Sequence, residues 1–461
     1  MMKPERLKTL FNPESVAVAG ATDNENKMGY HVMKSLVESF DGRIYPVNPG
    51  KDQVFGIAAY PGVEELPEAP DLAIIVIPRE KIHDTVKKFI ERGTGAFVII
   101  TSGFREAEMP DGGKLHEKLR NLVERANAVV IGPNTFGIVN VRRGLNASFT
   151  PALFKVRGGS IALVSQSGGI CHLLAPYAMR EGIGFSKIIG LGNRLNVDFP
   201  EILEYLATDD DTRCIALYIE GTENPRRMLD EIVKITRSKP VVALKAGRFE
   251  KADRASRSHT GSMAGDYRIF VSALKQYGAV VAETLEELIS FAKALSMQKP
   301  MFGDRVAVVS LVAGLGMVAC DTAEKCGMKL AEFSENTRSQ LYELLPPYTI
   351  RDNPVDLGFV ASDVELCGKA IELIAEDRNV DGIVLNYVYS WSGDFLQVPV
   401  DSIIRASGQK PMTVCLNYPP GTWDDVREKI EANGIPVYST PEMAVKSLKA
   451  LGDYGKILLR E

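Results

Sequence analysis

The sequence predicts an α/β protein of three units, each built on a parallel sheet with helices on both faces. Short continuous apolar runs alternate with amphipathic segments from end to end. Uninterrupted runs of this kind mark strands buried on both faces. The chain has 461 residues, enough for three domains at roughly 150 residues each. Its composition is 45% hydrophobic and 25% charged, with 40 glycines for short turns. Such a composition excludes collagenous, disordered and coiled-coil chains.

In chain order, the first five strands fall at Ser15–Ala19, Ile44–Val47, Leu72–Ile77, Ala96–Ile100 and Ala128–Ile131. Helical segments such as Ile82–Arg92 and Lys114–Ala126 lie between them. A fresh start follows Gly158-Gly159, with strands at Ser160–Val164, Phe185–Ile189, Cys214–Ile219, Val241–Lys245 and Val280–Val281. A third follows Gln298-Lys299-Pro300, with strands at Arg305–Ser310, Gly382–Asn386, Met412–Leu416 and Val437. Gly and Pro mark both boundaries. The predicted domains are therefore 1–150, 151–297 and 298–461. The second and third share a rhythm of strand, small-residue turn (Ser165–Gly169; Ala313–Gly316) and helix.

The net charge of −5 gives no electrostatic reason to expect nucleic acid or an anionic membrane as partner. The N-terminus carries no signal-peptide apolar run, and no stretch reaches about 18 apolar residues. The six cysteines form no CxxC pair, which favours buried free thiols over a metal cluster and fits a reducing cytoplasm.

Two motif groups carry chemistry. The run Val16-Ala17-Val18-Ala19-Gly20-Ala21-Thr22 reads as a strand entering a Gly-opened turn, where backbone N–H groups can hold phosphate. The second strand ends Asn48-Pro49-Gly50-Lys51, with no carboxylate for a ribose diol. A lysine there suits a phosphorylated ribose, which makes coenzyme A the leading ligand; the same lysine also suits a solvated turn. Further turns at Pro78 and Gly132-Pro133-Asn134 lie where strands of this unit end.

In the second unit, Ser165-Gln166-Ser167-Gly168-Gly169 follows a strand and opens a helix, which favours an oxyanion or a plain polar cap. The segment 254–265 is small, hydroxyl-rich and basic, and contains one of only five histidines, His259. It reads as an idle surface loop or as a carrier whose neutral imidazole attacks phosphorus. Glu220, at the end of Cys214–Ile219, places a carboxylate on the same rim as a partner for that imidazole, or simply ends a strand in a charge.

Together, residues 15–22, 44–49, 132–134, 165–169, 217–221, 244–248 and 258–261, with Arg305–Val309 and Asn353–Leu357, resemble the ADP-forming acyl-CoA synthetases. The resemblance is to the alpha subunits of their acetyl-CoA-forming members, relatives of succinyl-CoA synthetase, and spans nearly the whole chain. It implies an N-terminal CoA-binding Rossmann-like domain followed by two flavodoxin-like domains. It also implies that His259 is a phosphohistidine and Glu220 its partner. CoA contacts would fall on Gly20, Ala21, Thr22, Asn48, Lys51, Pro78 and Asn134. Phosphate or acyl phosphate would sit on Ser165, Ser167, Gly168 and Gly169. The expected reaction joins a small carboxylic acid such as acetate to CoA, with phosphate and Mg-ADP/ATP as co-substrates. No ATP-grasp module is legible, so nucleotide is expected on a separate beta subunit in an α2β2 assembly. Phe136 departs from the Cys usual in these families. The competing readings are a non-catalytic CoA-binding regulator and an acyl or carbamoyl transferase that uses acyl phosphate without nucleotide.

Overall fold

A computed structural model describes residues 4–106, 111–249, 266–389 and 397–460. The first sheet grows from the most apolar run of the N-terminal region. In chain order its elements are α1 (Pro4–Phe11), β1 (Ser15–Ala19), α2 (Met28–Val37), β2 (Arg43–Val47), the small hairpin β3 (Gln53–Val54) and β4 (Ile57–Ala58), β5 (Leu72–Ile75), α3 (Arg79–Arg92), β6 (Ala96–Ile99), α4 (Gly112–Arg125) and β7 (Val129–Ile131). The sheet order is β2-β1-β5-β6-β7, all parallel. β1, β5, β6 and β7 are buried along their whole length, as continuous apolar strands between two helical layers must be.

The second sheet comprises β8 (Gly137–Asn140), β9 (Leu145–Ser148), β10 (Gly158–Ser165), β11 (Phe185–Gly190), β12 (Cys214–Ile219), β13 (Val241–Lys245) and β14 (Val280–Val281). Helices α5 (Gly168–Arg180), α6 (Phe199–Ala207) and α7 (Pro225–Thr236) connect its parallel strands. The order is β14-β13-β12-β10-β11-β8-β9. β8 and β9, which the sequence reading leaves out, join by antiparallel pairing, so residues 137–148 bond to the second sheet. Buried polar side chains interrupt their apolar pattern. Asn140 donates to the Phe11 carbonyl at 2.9 Å, and Ser148 donates to Asn146 Oδ1 at 2.6 Å.

Residues 1–285 form one compact unit and 286–461 another. One apolar core of the first unit joins Val16 and Leu72 of the first sheet to Val164 and Leu217 of the second, and a separate one on the other face of the first sheet packs Ala17, Ala73 and Phe97 against Val86 of α3 and Leu119 of α4. α1 belongs to the former: Phe11 stacks on Tyr205 of α6 at 4.5 Å. The second unit has its own core around β15 (Arg305–Ser310), β16 (Lys329–Leu330), β17 (Val355–Asp356), β18 (Gly382–Val388), β19 (Met412–Asn417) and β20 (Val437–Tyr438). Its order is β16-β15-β18-β19-β20, with β17 beside β15. All six cysteines are free, and Cys171, Cys214, Cys367 and Cys415 are buried.

Setting aside the β3/β4 hairpin, the added strands β8 and β9, and β17, all three sheets follow one rule: the first strand is central, the second lies to one side, and the third, fourth and fifth lie to the other. In this arrangement the connections leaving the first and third strands diverge, which opens a crevice at their carboxyl ends. The crevices fall at β1/β5, β10/β12 and β15/β18. The turns after β7 and β11 also mesh. Leu195 N–H donates to the Gly132 carbonyl at 2.9 Å, and Asn193 N–H donates to the Pro133 carbonyl at 2.8 Å. Gly192 sits at φ +59°, and a Cβ there would stand 2.5 Å from the carbonyl oxygens of Pro133 and Asn134. Gly192→Ala is therefore expected to destabilise the first unit by about 1–3 kcal/mol, read as a lower midpoint in denaturant. An unchanged midpoint would show that the two turns are not tightly meshed.

Candidate active site at the carboxyl ends of the first two sheets

The β1/β5 crevice contains a cleft of about 270 Å³ whose walls include Gly20, Asn48 and Pro78. Gly20 has φ +97°, and a Cβ there would meet the Val76 carbonyl oxygen at 2.3 Å. Only glycine fits that bend between the two strand ends. α2 starts eight residues after Gly20 rather than directly at the turn, yet it returns to it: a Cβ on Gly29 would stand 2.0 Å from the Gly20 carbonyl oxygen. Asn48 holds the turn in place. Its Nδ2 donates to the Ala21 carbonyl at 2.7 Å while its Oδ1 accepts from Gly50 N–H at 2.8 Å. Ala21 and Thr22 are buried beneath.

Lys51 reaches back across the turn to Asp23, 2.9 Å away, and this hydrogen bond holds the Asp23 carboxyl below its ordinary value. The sequence reading missed Lys81 and Lys88, which share one face of α3 and line the same cleft. Lys88 pairs with Glu64 at 2.7 Å. Lys81 and Lys88 thus line the cleft and Lys51 stands beside the Gly-opened turn, with Lys51 and Lys88 paired to Asp23 and Glu64. Asn134 does not line that cleft. It lies farther along the rim, with its N–H on the Thr101 carbonyl at 3.0 Å and its Nδ2 3.4 Å from Asn193 Oδ1.

At the β10/β12 crevice, Ser165 is buried and its hydroxyl shapes the turn. It accepts from Ser167 N–H at 3.1 Å and donates to the Ser167 carbonyl at 2.9 Å. Ser167 is the N-cap of α5, and its side chain makes no capping bond. Gly168 packs closely on Phe136, whose Cβ would lie 3.3 Å from a Cβ at 168 and 2.9 Å from one at Gly190. The bulky Phe136 is thus accommodated by two glycines. It also meets His172 of α5 edge-on at 5.5 Å.

Glu220 is buried directly across from this turn. Segment 220–223 is fixed by side chains from three directions. Gln166 Oε1 accepts from the N–H groups of Glu220 and Gly221 at 2.6 and 2.8 Å. Arg194 Nη1 donates to the Gly221 carbonyl at 2.6 Å. Asp198 Oδ2 accepts from Thr222 Oγ1 at 3.0 Å and from Glu223 N–H at 3.3 Å, while the same residue caps α6 in a capping box with Glu201. Arg105, from the loop after β6, pairs with the Glu223 carboxylate and donates to the Asn193 carbonyl. Burial raises the Glu223 carboxyl, but the hydrogen bond and charge of Arg105 outweigh it and leave the group below its ordinary value. Burial lowers the Arg194 guanidinium, with Asp198 opposing. Gln166 is legible from sequence only as part of the 165–169 turn, and for Arg194 and Asp198 the one available signal is an Arg and an Asp four residues apart just after a strand. His259 lies outside the described residues, so its position relative to Glu220 is not part of this geometry.

A family described as CoA binding domain matches residues 14–141, and one described as succinyl-CoA ligase like flavodoxin domain matches 158–295. The chain is 38% identical over 456 residues to the alpha subunit of ADP-forming acetate–CoA ligase II of Pyrococcus furiosus, covering 98% of each chain. The chain belongs to the ADP-forming acetate–CoA ligase family. It is 35% identical to ADP-forming acetate–CoA ligase I of Archaeoglobus fulgidus, but there it covers 64% of the relative against 99% of itself. Among solved structures, the dinucleotide-forming acetyl-coenzyme A synthetase 1 of Ca. Korarchaeum cryptofilum, in complex with phosphate and ADP, superposes with a TM-score of 0.88. Identity to it is 31%, covering 99% of this chain and 98% of that one. The fold is thus the family's, with a CoA-binding domain followed by a succinyl-CoA-ligase-like flavodoxin domain. Among the described residues, no helix is long and apolar enough to cross a membrane.

A buried histidine of α4 stands near this rim, within reach of the charges of Arg105 and Glu223. His116 of α4 is 2% exposed, and neither ring nitrogen has a hydrogen-bond partner among the described residues. Burial, with the Arg105 charge adding to it, lowers its pKa to about 4. The folded state therefore refuses a proton that the unfolded chain accepts below about pH 6.5. Stability from this residue is intact above that pH and falls as pH drops toward 4, a loss on the order of 3 kcal/mol when fully expressed. His116→Phe is expected to flatten the acid limb of a stability–pH curve across that window. An unchanged limb would assign the acid sensitivity to other groups.

Proposed function

We propose that the chain is the acyl-transfer and phosphoryl-carrier subunit for the reaction acyl-CoA + ADP + phosphate ⇌ carboxylic acid + ATP + CoA. The observation that carries this reading is the side-by-side placement of the 165–169 turn and Glu220 at one crevice, tied together by Gln166. Segment 1–150 takes CoA, 151–297 takes phosphate and acyl phosphate, and 298–461 completes the assembly. Gly20, Ala21, Thr22, Asn48, Lys51, Pro78 and Asn134 are the proposed CoA residues. A lysine facing a strand-end turn suits the phosphorylated ADP end of CoA.

In the proposed sequence, a phosphate oxygen attacks the thioester carbonyl carbon. The C–S bond breaks, CoA leaves as the thiol, and an acyl phosphate forms. Ser167 and the N–H groups of Gly168 and Gly169 would steady the oxyanion at the α5 terminus. The His259 imidazole then attacks phosphorus. The P–O bond to the acyl group breaks, the carboxylate leaves, and phosphohistidine remains. Glu220 would hold the imidazole tautomer and offset its developing positive charge, as a carboxylate behind a nucleophilic histidine does. The phosphoryl group finally joins the β-phosphate of ADP. We place the nucleotide on a separate ATP-grasp beta subunit in an α2β2 complex, in keeping with the alpha-subunit naming of the Pyrococcus furiosus relative. Acetate is the proposed acid, after the names of the same relatives, and the cytoplasm the proposed compartment.

The test is incubation of this chain and its nucleotide-binding partner with γ-labelled ATP and Mg²⁺. Acid-labile, base-stable label is expected on the wild type and absent from His259→Asn. No label on the wild type, or label persisting in His259→Asn, would overturn the mechanism.

A further inference from the structure

Gln166 is 6% exposed and stands in the 165–167 turn, which Ser165 and Ser167 lock by mutual hydrogen bonds. Its backbone N–H donates to the Tyr218 carbonyl at 3.3 Å, extending the β10–β12 ladder by one residue. Its side-chain oxygen then takes two consecutive N–H groups, those of Glu220 and Gly221. Two converging donors fix the orientation of the carboxamide, because the flipped amide would point its own N–H₂ at them. Nε2 is committed to the opposite side, where it is buried and has no hydrogen-bond partner among the described residues. A buried donor without a partner is unfavourable. A glutamine kept there is held by what its oxygen does.

We infer that Gln166 is a positioning residue, which sets the backbone that carries the Glu220 carboxylate against the 165–169 turn so that the two move as one piece. The inference rests on the proposed role of Glu220 as partner of the phosphoryl-accepting histidine. Arg194, on the Gly221 carbonyl, and Asp198, on Thr222 and Glu223, brace the far side of the same segment. Without Gln166, two adjacent buried N–H groups lose their acceptor, and the segment must shift to find another.

The experiment measures single-turnover labelling from γ-labelled ATP in the complex with the nucleotide-binding partner, across a pH series, together with KM for CoA. Gln166→Leu is expected to label about 10–100-fold more slowly with KM for CoA unchanged, since small misplacements of a catalytic group cost rates of this order. Gln166→Glu keeps an acceptor of the same shape and is expected to label faster than Gln166→Leu at alkaline pH. Its added carboxylate beside Glu220 is expected to move the acid limb of the rate profile up by about one pH unit, because like charges disfavour ionisation. A role confined to fold stability would lower the denaturation midpoint of Gln166→Leu but leave the labelling rate of the folded protein unchanged. Gln166→Leu at the wild-type rate, or Gln166→Glu no faster than Gln166→Leu with an unmoved profile, overturns the inference. Glu220→Gln separates the two levels. If it labels at the wild-type rate, the role of Glu220 fails and this inference with it. If it is slow while Gln166→Leu is not, this inference alone fails.

Discussion

When the third strand of a parallel sheet pairs with the first on the side away from the second, their outgoing connections must part. Two strand ends are then left side by side with nothing crossing them. Both candidate sites sit at such places. At β1/β5 the parting exposes the Gly20 turn beside Pro78, and at β10/β12 it sets the 165–169 turn beside Glu220. Parallel pairing does the positioning: Ser165 lies opposite Tyr218, two residues before Glu220. A one-residue slip would turn every side chain of β12 to the other face and carry the carboxylate away from the turn.

The two crevices are stabilised differently. The first relies on absent atoms, with glycines at 20 and 29 allowing backbone to approach backbone, and on lysines spread around an open cleft. This suits a long anionic ligand that must enter and leave. The second relies on side chains from the turns after β10 and β11, which bond the N–H groups of Glu220, Gly221 and Glu223 and the Gly221 carbonyl, and on Arg105 from the loop after β6, which pairs with the Glu223 carboxylate. Such a network is strong when complete and costly when one member is lost, and it suits a carboxylate that must not move. Arg105 joins the two halves, since it rises from the first sheet's rim to Glu223 in the second.

Much of this was legible in the sequence because the chemistry of parallel strands is written in continuous apolar runs. Val16–Ala19, Leu72–Ile75, Ile161–Val164 and Cys214–Ile219 could hardly be anything else. β8 and β9 were not legible: Asn140, Asn146 and Ser148 are buried but hydrogen-bonded, and polar letters read as loop. Gly20, Asn48 and Pro78, which line the β1/β5 cleft, were legible as turn residues because strand-end turns favour Gly, Asn and Pro. Lys81 and Lys88 looked like any solvated helix face. Gln166 was inside a motif already singled out, yet its partners are backbone groups 54 and 55 residues away, which leave no mark in composition or spacing. The structure also changes the reading of Ser165, whose hydroxyl builds the turn, and supplies Asp23 as the carboxylate beside Lys51.

Segment 220–223, bonded by Gln166, Arg194 and Asp198, continues β12 as a fixed extension. Amide hydrogen exchange tests it most directly. The N–H groups of Glu220 and Gly221 are expected to exchange as slowly as that of Leu217 in the middle of the strand, because Gln166 continues the ladder for both. Exchange of these two amides at the rate of an exposed turn would contradict it.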